Sequence, residues 1–409
     1  MTSIPSSTSA SRPRGILRFA RTLAGALLGF ALAACIFEIA LRLMAASPWW
    51  RVLPAVSAQF DAPDPDLGFA HRPNVEGLWL RENRVRVRIN ANGLRDRPRD
   101  AVAAPGAVRV AVAGDSITEA FQVDESDLFT LRAERSLNAR GLPFEVLNFG
   151  LSGATPLQQL LFVARRGLPL GVGGAMMLTS ASDFLATLTA DDSVLPAYVK
   201  DSSGNLVIGR AYRERRSHRM AERWPGRLFF WLVDHSLVAN MLYLRMNLGL
   251  LPDSLAPRRG SAAEDQCAPA RSNLEKLDAL FSAGEPQWAG TRLNRFLADI
   301  PNLLEGRPVV LAARGLGVPA SCPGVEPLQQ QVVERARAKF ENAGIGFVDF
   351  DSAVNAKMRD AADRSRMYGF GRNLGTGHLN SYGHEVYSQV LADIVTQRFA
   401  RLLPPGPPR

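Results

Sequence analysis

Val108, Val110 and Val112 alternate with other residues, and the run breaks at Gly114. This pattern predicts a buried strand that ends in a tight turn. From Thr118 a helical pattern follows, continuing to about Arg140. Phe144–Asn148, Ala175–Thr179, Pro308–Ala313 and Gly346–Phe350 read as four more apolar strands. Leu157–Arg166, Arg292–Ile300 and Val325–Ala343 carry helical spacing between them. Strands alternating with helices imply a three-layer α/β/α domain around a parallel sheet of about five strands, with right-handed crossovers. Sites in such folds gather at the carboxyl ends of the strands. The turns at Gly114, at Gly150 and Gly153, and at Ser180–Asp183 all lie there.

Outside this block the pattern changes. Residues 1–14 are rich in Ser, Thr and Pro and are expected to be disordered. An uncharged run from Thr22 to Phe37 follows Arg18 and Arg21. Counted from Ile16 to Met44, with Arg18 and Arg42 reaching outward at its ends, it is long enough to span a bilayer. Glu38 and Arg42 can pair on one helix face. Residues 15–45 are therefore expected to be an uncleaved signal anchor, with the Arg-bearing end inside and the remainder outside. Trp49 and Trp50 would mark the outer interface. Two alternatives stay open: a cleaved signal peptide, and a lipoprotein, because Leu32-Ala33-Ala34-Cys35 resembles a bacterial lipoprotein cleavage site.

Residues 46–107 form an extracytoplasmic lead-in. Within it Arg84–Ile89 alternates strictly, with an apolar face and an Arg face, and Asn92-Gly93 turns the chain. The Arg face is read as a solvated strand face, or as a surface for an anionic polymer. The main domain is expected over residues 108–402, with residues 184–300 as a helical insertion and 403–409 as a Pro-rich disordered tail. Leu228–Leu251 is strongly apolar, but Asp234, His235 and Arg245 interrupt it, so it reads as buried or lid helices rather than a second span.

With 46% hydrophobic and 21% charged residues, the 409-residue chain can bury a sizeable core. The net charge of +9 comes mainly from Arg. No zinc-ligand spacing, Lys/Arg run or nucleic-acid motif accompanies it, so nucleic acid is set aside as a partner. No metal or cofactor is implied. Of three cysteines, Cys267 and Cys322 can form one disulfide if the domain lies in an oxidising compartment; otherwise they are free thiols.

Ser116 follows the first strand at a strand-to-helix junction, where free N–H groups and the positive end of a helix face an incoming ligand. It is equally placed to be a helix N-cap. Gly114-Asp115-Ser116-Ile117-Thr118, Asn148-Phe-Gly-Leu-Ser-Gly153 and His378-Leu-Asn-Ser-Tyr-Gly-His384, in this order, resemble blocks of the SGNH, or GDSL-type, hydrolases. The Asp-Pro, Leu-Gly and Asn-Gly-Leu-Arg pattern of the lead-in looks like that of membrane-anchored members. The resemblance implies a flavodoxin-like SGNH-hydrolase fold with Ser116 as nucleophile and His378 as base, His384 being the competing candidate. It also implies oxyanion donors from the Ser116 and Gly153 amides and a third side chain. Two positions depart from the family. Ser182 stands where the third donor, an Asn, is expected, and Gly375 stands where the acid, an Asp, is expected. Asp360, Asp363 and Glu385 are near His378 in sequence. A Ser116–His378 dyad, with a backbone carbonyl orienting the imidazole, is the expectation. The activity implied is ester hydrolysis or O-acyl transfer on an acyl ester or acylated envelope glycan, at the outer face of the cytoplasmic membrane. The alternative is a weak or inactive relative that binds glycans or envelope partners.

Overall fold

The computed structural model describes residues 14–52, 59–189, 191–215, 219, 223–247, 267–282, 287–315, 325–358 and 361–404. Cys322 lies outside them, and with it the proposed disulfide. The chain opens with α1 (Arg14–Ala46). Two small antiparallel hairpins follow: β1 (Asp61–Asp64) with β2 (Gly68–His71), and β3 (Glu76–Trp79) with β4 (Val85–Arg88). Next come β5 (Val108–Gly114), the one-turn α2 (Ser116–Glu119), α3 (Phe129–Ala139), β6 (Phe144–Gly150), α4 (Pro156–Phe162), β7 (Val172–Ser180) and α5 (Ala181–Thr189). A third hairpin, β8 (Ala197–Lys200) and β9 (Leu206–Gly209), precedes α6 (Trp224–His235), α7 (Leu237–Asn247), α8 (Cys267–Phe281) and α9 (Gln287–Leu303). The chain then runs through β10 (Val309–Arg314), α10 (Glu326–Asn342), β11 (Gly346–Asp349), α11 (Phe350–Asn355), α12 (Ala361–Arg366) and α13 (Ser381–Phe399).

The main sheet is five-stranded and parallel, in the order β11-β10-β7-β5-β6. All the expected strands are present. Alternate residues of each strand enter opposite cores. Ala111, Ala113, Leu147, Phe149, Ala175 and Met177 face one side, where α4, α8, α9 and α10 pack. Val110, Val112, Phe144, Val146, Met176 and Leu178 face the other, against α3, α11 and α13. With both faces buried, these strands are apolar at most positions, and the buried charges among them, Arg109 and Glu145, pair with each other at 2.8 Å. The order is that of a doubly wound fold whose direction of winding reverses beside β5. The loop after β5 therefore opens at the crevice where such folds place ligands.

Two helices differ from the sequence expectation. The helix after Ser116 does not continue to Arg140. It ends after one turn at Ala120, which adopts φ 59°, and α3 starts afresh at Phe129. Ala is a good helix former, so its left-handed conformation has no signature in the sequence. The apolar stretch from Leu228 folds as α6 and α7, joined at Ser236, and much of α6 is exposed rather than buried.

The lead-in is fused to the sheet domain. Buried Arg99 pairs with Asp96 at 2.9 Å and with Glu134 of α3 at 2.7 Å, and donates to the Val146 carbonyl. The Asn148 amide donates to Asp96. The Arg face of β4 is exposed, as a solvated strand face is, and its arginines bond to groups of the same chain. Arg86 pairs with Glu76, Arg88 pairs with Glu125, and Arg84 donates through Nε to the Ala45 carbonyl at the end of α1. Glu38 and Arg42 do pair, at 2.7 Å.

Candidate active site

Strand β5 delivers Asp115 and Ser116 to the crevice. Asp115 is the N-cap of α2; its Oδ1 accepts from the Ile117 amide at 2.9 Å, and its other oxygen pairs with Arg314 at the end of β10. The turn carrying Ser116 is thereby tied across the sheet. Asp183 lies close by, and burial and the Asp115 charge hold its carboxyl above the usual range. Gly150, at the end of β6, passes so close to α2 that a Cβ there would lie 2.0 Å from the Glu119 nitrogen. Only glycine permits this approach, which brings the ends of β5 and β6 together.

The half-buried His378 reaches Ser116 from the far end of the chain. Its Nε2 lies 2.9 Å from Ser116 Oγ. Its Nδ1 lies 2.6 Å from Oε1 of Glu82, and its backbone N–H donates to Oε2 of the same carboxylate at 3.1 Å. The group at Nδ1 is thus a carboxylate, where a backbone carbonyl was the expectation. That carboxylate comes from the loop between β3 and β4. Of the acids considered near His378, Asp363 pairs with Arg366 and Glu385 with Arg132, while Asp360 lies outside the described residues. With Nδ1–H donating to Glu82, the Nε2 lone pair faces the serine hydroxyl, the tautomer a general base requires. Burial raises the Glu82 carboxyl, but the hydrogen bonds and charge of His378 outweigh it and hold the group below its ordinary value. The carboxylate form is the one present near neutral pH.

Two features make room for Glu82. It adopts φ 61°, a left-handed conformation uncommon for a residue with a Cβ, at a cost on the order of 1 kcal/mol or more. Asn83 anchors the same loop, its side chain donating to the Gln122 carbonyl at 2.9 Å. On the other side Gly377 adopts φ 86°, and a Cβ there would lie 2.7 Å from Glu82 Oε2. Such paired backbone requirements at one contact are where strain and function tend to coincide.

His384 is placed elsewhere. Its buried ring stacks on Phe129, and its Nδ1 accepts from the Phe129 amide at 3.2 Å. Burial and the nearby Arg132 charge push its pKa down to about 3. It is a neutral acceptor that docks α13 on α3. His71 is also buried, with Nδ1 2.5 Å from Asp61 and Nε2 3.3 Å from Glu119.

The three expected oxyanion donors sit on neighbouring strand ends, after β5, β6 and β7. Neither the Ser116 nor the Gly153 amide has a hydrogen-bond partner among the described residues. Gly153 lies in a turn with φ 70°. The preceding residue, Ser152, donates through both its amide and its hydroxyl to Glu119 of α2, which ties this turn to the helix carrying Ser116. Ser182 lies in the first turn of α5, exposed, with its hydroxyl 3.0 Å from Ser180 Oγ.

No family model and no curated protein matches the chain. Solved structures similar to it include the lipase/acylhydrolase from Enterococcus faecalis, 13% identical, with TM-score 0.34, covering 74% of this chain and 100% of that one. A protein named as of the lipolytic G-D-S-L family, from Desulfitobacterium hafniense, is 11% identical with TM-score 0.33, covering 70% and 99%. A GDSL-like lipase structure from Parabacteroides merdae is 14% identical with TM-score 0.31, covering 70% and 94%. These overlaps are loose, and the site stands on its own geometry. The parallel sheet ordered β11-β10-β7-β5-β6, with a Gly-Asp-Ser turn after β5 and a His before the last long helix, is the fold expected of an SGNH/GDSL-type hydrolase.

Proposed function

We propose that the chain is a membrane-anchored serine ester hydrolase or O-acyltransferase of the SGNH/GDSL type, acting on an acylated envelope substrate with Ser116, His378 and Glu82 as its triad. The observation that carries this reading is the Ser116–His378–Glu82 relay, with contacts of 2.9 and 2.6 Å. Ser116 Oγ attacks the ester carbonyl as its proton passes to His378 Nε2. Glu82 stabilises the imidazolium so formed. The Ser116 and Gly153 amides, with the Ser182 hydroxyl as third donor, receive the oxyanion. Collapse breaks the ester C–O bond, His378 protonates the leaving alcohol, and an acyl-serine remains. Water or an acceptor hydroxyl, deprotonated by His378, then attacks the acyl carbon; the bond to Ser116 Oγ breaks and His378 returns the proton to Oγ. This path is complete with the residues named and uses no cofactor.

α1 is read as a signal anchor. It is apolar enough to cross a membrane, with mean hydropathy 2.2 and none of its apolar window buried. Arg18 and Arg21 at its start favour a cytoplasmic position for that end, which would leave the triad outside the cytoplasmic membrane. The helix runs unbroken through Cys35, which is exposed.

The direct test is labelling with a fluorophosphonate, which phosphonylates only an activated serine. Wild type should label, and Ser116→Ala should not. Equal labelling of the two, or none of wild type, would favour the glycan-binding alternative. A second prediction concerns Gly377. Gly377→Ala forces a Cβ toward Glu82 at positive φ, so it should cost about 1–2 kcal/mol of stability. It should also slow turnover by about ten-fold or more through displaced Glu82, since a misplaced orienting group of this size costs about that. Thermal unfolding beside ester kinetics checks both. Unchanged values would mean the Glu82 contact is not needed.

A further inference from the structure

We propose that the α6–α7 hairpin lies in the headgroup region of a lipid bilayer, beside the outer end of α1. The proposal rests on the reading of α1 as a membrane span.

Helix α6 is two-faced. Trp224, Leu228, Trp231 and His235 follow one another at helical spacing and are exposed, Trp224 by 70% and Trp231 by 54%. Phe229 and Leu232 widen the same apolar face. Gly226 and Val233 on the other side are buried. Asp234 holds that side to the lead-in, accepting from the Gln59 amide at 2.7 Å and pairing with Arg72 at 2.6 Å. The exposed face is therefore held outward by polar contacts behind it. Soluble monomers rarely leave such a contiguous aromatic face open.

The occupant follows from what the hairpin is bonded to. Its junction is capped by α1, through the pair Glu38 and Arg42. Arg42 donates to the His235 carbonyl at the end of α6, at 2.7 Å. Glu38 accepts from the Leu237 and Val238 amides at the start of α7, at 3.1 and 3.0 Å, and from Ser236 Oγ at 2.9 Å. Leu237 packs with Leu41 and Ala45 of α1. The C-terminal end of α6 is thus held against α1, on which Phe30, Ile36, Phe37 and Ile39 are also exposed.

Depth follows from length. At 1.5 Å per residue α1 is about 50 Å long, whereas the hydrocarbon core is about 30 Å thick. A span that starts near Arg18 leaves the bilayer near Glu38 and Arg42. The hairpin capped by those two residues is level with the outer headgroups. Tryptophans on one face and arginines at the edge, here Arg223 and Arg227, both exposed, suit an anionic lipid interface. A second copy of this chain is the rival occupant.

The test uses full-length protein in vesicles of phosphatidylcholine and phosphatidylglycerol, with lipids brominated either near the headgroup or deep in the chain. Trp231 is kept as the sole tryptophan, the others being replaced by Phe. In a reference protein Phe30→Trp supplies the only tryptophan. Trp231 should be quenched about two-fold or more better by the shallow bromines than by the deep ones, as for a helix lying in the interface. The residue at 30 should show the reverse. If Trp231 is unquenched while position 30 is quenched, the hairpin proposal is overturned and the anchor stands. If neither is quenched, the anchor reading falls first and the proposal with it. In protein already carrying Trp49→Phe and Trp50→Phe, which sit at the same interface, the further pair Trp224→Phe and Trp231→Phe should remove most of the shallow quenching. No reduction in that variant, or burial of the face in a dimer seen by cross-linking in vesicles, overturns the proposal even if the single-tryptophan chains fail to fold.

Discussion

Ser116→Ala and His378→Ala should each lower kcat for a short acyl ester by about 10⁶-fold, and the double variant should lose little more, because a nucleophile and its base act as one unit. The 2.9 Å contact between Nε2 and Oγ motivates this expectation. Removing Oγ from a half-buried residue should leave unfolding unchanged to within about 0.5 kcal/mol, so lost activity is not lost folding. The measurement is ester turnover by the full-length protein in detergent or vesicles, with the three variants beside wild type. Losses that add up in the double variant would show that Ser116 and His378 do not work through each other. A wild type no faster than Ser116→Ala would remove the catalytic reading.

Glu82→Gln should lower kcat by about 10³–10⁴-fold with little change in KM, the scale seen when a triad acid becomes an amide. The amide can donate to Nδ1, and that pins the ring with its proton on Nε2, facing Ser116, where it cannot accept. Glu82→Asp keeps the charge and shortens the reach, so it should fall between the two. Because the Glu82 carboxyl is held below its usual value, wild-type turnover should lose this support only as pH falls through and below the ordinary carboxylate range. Turnover by Glu82→Gln within ten-fold of wild type would return His378 to a dyad. An Asp introduced at Gly375 should bring no gain: Nδ1 is already occupied, and Gly375 sits at φ 91°.

Much of this site is legible along the chain. The β5 to β7 runs, the Gly-Asp-Ser turn and the segment around His378 announce themselves, because a sheet buried on both faces leaves mostly apolar runs, and those of β5 and β6 stop at glycine. Glu82 does not. It is 296 residues from the histidine it serves, in a loop joining two four-residue strands. The strictly alternating β4 marks the loop's far edge, but a Glu at positive φ has no sequence mark. The family spacing points to an acid three residues before His378, where Gly375 stands; the carboxylate at Nδ1 comes instead from the β3–β4 loop. Ala120 is a parallel case, a helix former that ends a helix because the turn toward α3 requires it. The charges of the α6–α7 stretch, costly in lipid, point to buried or lid helices rather than a span. Asp234 instead faces the domain, and this leaves the aromatic side open.

The contact between Arg84 and the Ala45 carbonyl sits two residues from Glu82, and Leu80, on the other side of Glu82, packs in one cluster with Leu41, Ala45 and Leu237. The loop that supplies the acid is thus seated on the last turns of α1. A sheddase cutting just behind Ala46 would free the sheet domain with Ser116 and His378 intact, yet leave behind the platform under Glu82. Release into the surrounding fluid would then be self-silencing, and the activity would be confined to molecules still rooted where they were inserted.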